Sequence, residues 1–445
     1  MKNRKLAGGL AFLSLLTLVA AACGGGGGAS GGGAPSPGPL GAVTVAAGAP
    51  MKIALIEALS GDTASLGVDQ QRGVQIAIDD KGGKLLGHSV QLISIDETSG
   101  GAVCGDGPGG TAAAQKVAAD KSIVGVIGTS CSGDAVPAMP ILGPAGYTMI
   151  SGSNTSPFLT SVDAKTPGPA HKDGYFRVAH NDTFQGKAAA DCVFNQLGAT
   201  KAATINDGDA YTVGLAKAFE TAFTADGGQV VDSAAVGKTQ TDMHAVLTEV
   251  ASKAPQIIYF PIFEPAGDYI VKQAKDVSGL TNTALMGADG LISDTFVGSK
   301  NGKFAVPEVH DAPPAPKGTS RGMYFSGPVP PASGAYTTFL DKYKTKFGEA
   351  PIQAFHAHAY DAFNVLAAAI EKVAKKQSDG SLFIDRKQLR DAVQATKDFQ
   401  GLTGSLTCNQ FGDCGAPRIA VFQANATTPD LTSVKANVIC QPPAA

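Results

Sequence analysis

From Met51 onward, short runs of β-branched and apolar residues alternate with stretches whose apolar residues fall at helical spacing, and the alternation occurs in two successive series. Such a pattern demands parallel strands joined by helical crossovers, because each buried strand needs a helix to carry the chain back to the same edge. In the first series, strands are expected over 52–56, 90–95, 123–127 and 147–150. Val74, Ala77 and Ile78 mark a helix after the first strand, Thr111 is expected to cap a helix running to Asp120, and 135–142 reads as another. After a Pro- and Gly-rich loop near 164–174 the pattern restarts, with strands at 202–205, 230–235, 257–261 and 284–286 and helices at 213–225, 242–253 and 266–277.

Two such series imply an α/β chain of two doubly wound, Rossmann-like lobes. The remainder does not make a third lobe. Helices over 336–347, 355–375 and 386–396 are followed by a turn-rich stretch between Cys408 and Cys414, and these elements are expected to complete the two lobes through a hinge crossed more than once. The expected division is 51–176 with 327–403 for the first lobe and 177–326 with 404–440 for the second.

Ahead of the body, Lys2, Arg4 and Lys5 precede an apolar run from Leu6 to Ala20 and the small residues Ala20-Ala21-Ala22 before Cys23. The run is shorter than the roughly 18–20 residues that span a bilayer, so residues 1–22 read as an export signal and Cys23 as a lipidation site. Residues 24–50 lack charge and are rich in Gly, Ala and Pro, the composition of a flexible tether with a reach of about 30 Å. Three of the 35 basic residues lie in the leader, leaving 32 against 38 acidic ones, a balance that does not suit nucleic acid. Six cysteines remain besides Cys23, an even number in an exported chain and therefore expected in disulfides. Cys408 and Cys414 would close a hairpin, Cys104 and Cys131 lie near strand ends of the first lobe, and Cys192 and Cys440 remain by elimination.

Gly105-Asp106-Gly107-Pro108-Gly109-Gly110 matches G-x-G-x-x-G, but too many residues separate it from the preceding strand and Pro108 stiffens the turn, so a plain surface loop is expected. His356 and His358 point in divergent directions on a helix and are read as packed or solvated, not as a metal pair. No metal or cofactor motif and no catalytic constellation of the H-E-x-x-H, G-x-S-x-G or P-loop type occurs, so the chain is not read as an enzyme. Ligands of doubly wound sheets bind beyond the carboxyl ends of the strands. Those ends carry small hydroxyls in the first lobe (129–132 and 151–155) and acids and aromatics in the second (206–211, 263–264 and 289–290). This division suits a zwitterion, its carboxylate held by hydroxyls and its ammonium by an acid.

Ile53-Ala54-Leu55 leading to Ser60-Gly61, the helix from Gly73 to Asp80, Val126-Ile127-Gly128 leading to Ser132, Met149-Ile150-Ser151 leading to Thr155, and Met286-Gly287-Ala288-Asp289-Gly290 resemble the type I periplasmic binding proteins, in particular the leucine/isoleucine/valine-binding group. The resemblance covers most of 51–422. It implies a monomeric receptor without cofactor that closes two lobes on an amino acid of aliphatic, branched-chain type and passes it to an ABC permease; an amide, urea or an aromatic acid is the alternative solute. A sensory ectodomain is the remaining alternative. By resemblance Ser132 and Thr155 hold the ligand carboxylate beside the Ser153 backbone, Tyr211 walls the ammonium, Asp289 accepts it, and Cys104 pairs with Cys131. Leu66 and Phe263 stand where aliphatic binders tend to have tyrosine, which makes the expected pocket more apolar. If Cys23 carries the lipid, replacing it with Ser releases the processed protein from membranes, which fractionation of cells expressing both forms checks.

Overall fold

Strands that are apolar along their whole length need cover on both faces, and the two sheets of this protein are covered in that way. The computed structural model describes residues 36–297 and 307–442. The leader, Cys23 and the start of the glycine-rich segment lie outside the described residues.

The first sheet runs in the order Lys84–Leu85, His88–Asp96, Met51–Glu57, Ile123–Gly128, Met149–Ser151, Tyr175–Arg177. All neighbours are parallel except the first hairpin. Helices Ala64–Asp80 and His356–Val373 cover one face, with Val74 and Ala77 meeting Phe363, Leu366 and Ile370 over Ile53 and Leu55. Helices Pro108–Ala119 and Ser132–Leu142 cover the other, placing Ala113, Val117, Ala138 and Leu142 against Ala54 and Val126.

The second sheet runs Val438–Cys440, Ile419–Ala424, Met323–Pro328, Ala284–Gly287, Ile257–Tyr259, Lys201–Asn206, Gln229–Ala235. It is parallel from Met323–Pro328 onward, and its last two strands in the chain pair antiparallel at one edge. The chain passes between lobes after Arg177, after Pro328 and after Cys414, so three segments form the hinge.

Several expectations change. Residues 24–50 do not stay free of the core throughout: Ala42–Val45 is a strand paired antiparallel with Leu382–Asp385, and Val43 and Val45 are buried. Its two valines alternate with small residues, so one face is apolar enough to pack although the surrounding composition reads as linker. The 404–414 stretch sits with the first lobe, since Leu406 and Cys414 join that lobe's core and Cys414 donates its amide to the Arg177 carbonyl. Thr111 does not cap its helix; Pro108 begins it, at the position where a fixed φ and a missing N–H are harmless, and the Thr111 hydroxyl donates to the Gly107 carbonyl. Strands Tyr175–Arg177 and Met323–Pro328 and helix Asp182–Asp191 have no counterpart in the sequence pattern. That helix is short of apolar residues because it packs through Gly186, whose missing side chain lets it press on Ala218 and Phe219. The structure pairs Cys104 with Cys131, Cys192 with Cys440 and Cys408 with Cys414.

Because Val43 and Val45 fill the first lobe's core, a chain shortened to begin at Met51 is expected to be less stable than one beginning at Pro37 by on the order of 2 kcal/mol. Urea unfolding of the two chains measures the difference.

Candidate functional site

The loops that leave the first sheet are fastened to each other before they meet anything else. The Asn154 side-chain amide donates to the carbonyls of Thr129 and Ser130, both at 2.9 Å. Ser153 Oγ donates to the Ser130 carbonyl at 2.8 Å and accepts from Gln70 Nε2 at 2.9 Å. Beneath them, Glu97 Oε1 accepts the backbone amides of Ser130 and Cys131 at 3.0 and 3.1 Å, and the Glu57 carboxyl accepts from Ser130 Oγ and Gln70. Ser132 opens helix Ser132–Leu142 and its Oγ accepts the Ser156 amide at 3.3 Å, while the Asp134 and Ala135 amides of that first turn bond the Cys131 carbonyl.

Opposite, Asp289 begins a single helical turn after strand Ala284–Gly287. Its Oδ1 accepts from Gln185 Nε2 at 2.5 Å and from the Tyr211 hydroxyl at 3.2 Å. Tyr211 is set by Asp209, which caps helix Ala210–Ala225 by accepting the Tyr211 amide at 2.7 Å, and its ring centroid lies 5.1 Å from that of Phe263.

These groups surround one small cavity between the lobes, about 10 Å³ in volume, space for roughly one water molecule. Leu66, Ser130, Ser132, Ser153, Thr155 and Phe355 line it from the first lobe, and Tyr211, Phe263, Asp289 and Gly290 from the second. All seven residues singled out in the sequence therefore meet in space. Ser130 and Gly290 adjoin them in the chain. Phe355 gave no signal, because it enters from the end of a helix on the far side of the first sheet and is recognisable only once that helix is placed.

The site is rich in buried acids. Burial pushes the Asp289 carboxyl up to about 6 in spite of the hydrogen bonds from Gln185 and Tyr211. Asp182, buried beside Thr155, is held well above the usual range by burial and by the neighbouring Asp289, against the Thr155 hydrogen bond. Burial lifts Glu57 to about 8 against the Ser130 hydrogen bond, and burial with the charges of Asp134 and Glu57 raises Glu97. Glu264, next to Phe263, is raised by burial to about 7.

The paired histidines do part company. His356 bonds Asp69 at 2.8 Å and the Tyr336 hydroxyl at 2.7 Å, whereas buried His358 packs on Phe355. Glu97 and Asp134 lie beside Cys104 and Cys131, but the disulfide leaves no thiolate there to ligate a metal. Among the described residues no helix is long and apolar enough to cross a membrane.

The family description "Periplasmic binding protein" matches residues 50–425. The Leu/Ile/Val-binding protein BraC3 of Rhizobium johnstonii is 27% identical over 380 residues, covering 85% of this chain and 92% of the relative. The Leu/Ile/Val-binding protein of Escherichia coli K12 is 26% identical, with coverage of 85% and 93%. Among solved structures, the leucine binding protein LivK from Thermotoga maritima superposes with a TM-score of 0.67 at 24% identity, covering 84% of this chain and 96% of that one. An ABC transporter solute binding protein from R. palustris in complex with benzoate superposes with a TM-score of 0.64 at 21% identity, covering 85% and 94%.

The raised acids give stability a direction with pH. Glu57 and Glu264 hold protons more tightly folded than unfolded, so their contribution is full at low pH and is lost as pH rises through about 7 to 8. His180 and His358, which burial lowers to about 4 and about 3, act in the opposite sense, but only below their ordinary value of 6.5. Between pH 6.5 and 8 the thermal midpoint of the ligand-free protein is expected to fall, and Glu57→Gln to flatten the decline; calorimetric scans at several pH values read both.

Proposed function

Because the chain belongs to the periplasmic binding protein family, a family of solute-binding proteins and not enzymes, we propose that it is the extracytoplasmic receptor of an ABC importer for an aliphatic, branched-chain type amino acid. The observation that carries this reading is the polarity of the cavity. One end offers the hydroxyls of Ser132 and Thr155 at the start of a helix, and the other offers a carboxylate steadied by Gln185 and Tyr211. A zwitterion laid between them has its carboxylate on donors and its ammonium on Asp289. Leu66, Phe263 and Phe355 supply apolar wall for a side chain. The leader and Cys23 fit the same role, holding the receptor by a lipid at the membrane that contains its permease.

One observation favours a second reading. Phe263 and Phe355 are aromatic, and a carboxyl raised to about 6 ionises less readily than an ordinary aspartate, conditions that also suit an aromatic acid. The solute bound by the R. palustris neighbour is of that kind.

Calorimetric titration with L-leucine, L-isoleucine, L-valine, an amide and benzoate separates the two. On the amino-acid reading, Asp289→Ala weakens the best amino acid by about 2–5 kcal/mol, roughly thirty-fold to several thousand-fold, because the ammonium is left desolvated without its partner. If benzoate binds and no amino acid does, or if Asp289→Ala binds the amino acid as tightly as the native chain, the amino-acid reading is lost.

A further inference from the structure

The glycine-rich run 105–110 has no part in the cavity, yet it is firmly built. Cys104 just before it is bridged to Cys131, the residue that precedes Ser132. The Asp134 carboxylate accepts the backbone amides of Gly105, Gly107 and Gly110 at 2.7, 3.1 and 3.1 Å. Amides that could cradle a phosphate are thus already occupied by an acid of the same chain, and what the loop turns outward is acceptors.

Lys238, in the second lobe just beyond strand Gln229–Ala235, reaches those acceptors. Its Nζ lies 3.1 Å from the Cys104 carbonyl, 3.1 Å from Asp106 Oδ1 and 3.0 Å from Asp209 Oδ2. The first two partners are in the first lobe and the third is in its own. An ammonium has three donors, and here each has an acceptor. Asp209, fully buried at its side chain, fits the first lobe just as closely. A Cβ on Gly105 or Gly133 would come within 1.8 or 2.3 Å of Asp209 Oδ2, so only glycine lets the carboxylate in, and Gly105 has in addition a φ of +82°. Asp209 also caps the helix that carries Tyr211.

We propose that Lys238, gripping the Cys104–Asp106 segment of the opposite lobe, is a catch that sets the balance between open and closed receptor and so tunes solute affinity without touching the solute. The inference rests on the two-lobed receptor reading of the same cavity. The glycines serve close approach between lobes, and the Cys104–Cys131 bridge keeps the grip in register with the Ser132 loop. Apparent affinity scales with the fraction of protein able to close, so loss of the catch weakens any solute by the factor by which the closed state is depleted.

Single-molecule energy transfer between dyes on the two lobes tests this in the ligand-free protein, where closed excursions are recorded directly. Lys238→Met is expected to shorten closed dwells about tenfold or more, and Asp106→Asn, at an exposed position where folding is not at stake, about threefold. Lys238→Arg retains most of the dwell. Titration with L-leucine as probe is expected to show midpoints shifted by the same factors. Closed dwells in Lys238→Met and Asp106→Asn equal to those of the native chain overturn the proposal, as does a native chain that never closes without solute. A native chain that closes but ignores L-leucine counts against the amino-acid reading alone, and leaves the dwell times to decide the catch.

Discussion

Arg177 has no exposed surface, and a cation so placed is tolerable only if its donors are met. Its Nε pairs with Asp413 at 2.6 Å, Nη1 donates to the carbonyls of Asn154 and Ser156, and Nη2 donates to the Thr160 hydroxyl. Asn154 and Ser156 flank Thr155, so the first-lobe wall of the cavity hangs on this guanidinium. Its backbone exchanges hydrogen bonds with Gly412 and Cys414, which fastens the disulfide hairpin to the same point. Arg177 is also the last residue of the first sheet before the chain crosses between lobes. One buried ion thereby joins binding loop, hinge and hairpin.

Beneath the cavity, two buried acids are shifted towards their neutral forms. Glu57 and Glu97 lie directly beneath the Ser130–Ser132 loop, and as full charges they would repel a carboxylate bound above them. Burial weakens both acids: it lifts Glu57 to about 8, so that carboxyl is largely uncharged at neutral pH, and it shifts Glu97 in the same direction. Asp289 faces them across the cavity with the weaker upward push, and two donors steady its charged form. The electrostatic asymmetry of the site thus comes from differences in burial and hydrogen bonding among similar carboxyls, with no lysine or arginine among the described residues that line the cavity.

Much of this was legible in the sequence, for a physical reason. The central strands, such as Ile123–Gly128 and Lys201–Asn206, are apolar on both faces and end in polar loops, so their limits and the position of the site follow from composition alone. Ser132, Ser153, Thr155, Tyr211, Phe263 and Asp289 meet because each lies just beyond such an end, whereas Leu66, in the helix after the first strand, was marked by the family resemblance. What was hidden depends on partners far along the chain. Strand Ala42–Val45 exists only because Leu382–Asp385 offers an edge, and Tyr175–Arg177 is three residues long with a charge that Asp413 neutralises from 236 positions away. Phe355 and Gln185 likewise reach the site through helix packing that no local pattern encodes.

The strand order has a further consequence, for assembly. Residues 419–424 and 438–440 supply an edge of the second sheet, and Cys440 bridges back to Cys192 across 248 positions. The first lobe likewise waits for 382–385 and for the hairpin at Cys408–Cys414. A chain threaded outward from its N-terminus therefore cannot finish either lobe until nearly all of it has emerged, and the loop-closure entropy of such distant pairings makes late completion slow. Between emergence and closure, two half-covered parallel sheets stand exposed together, so this architecture places its greatest aggregation hazard at the final step of its biogenesis.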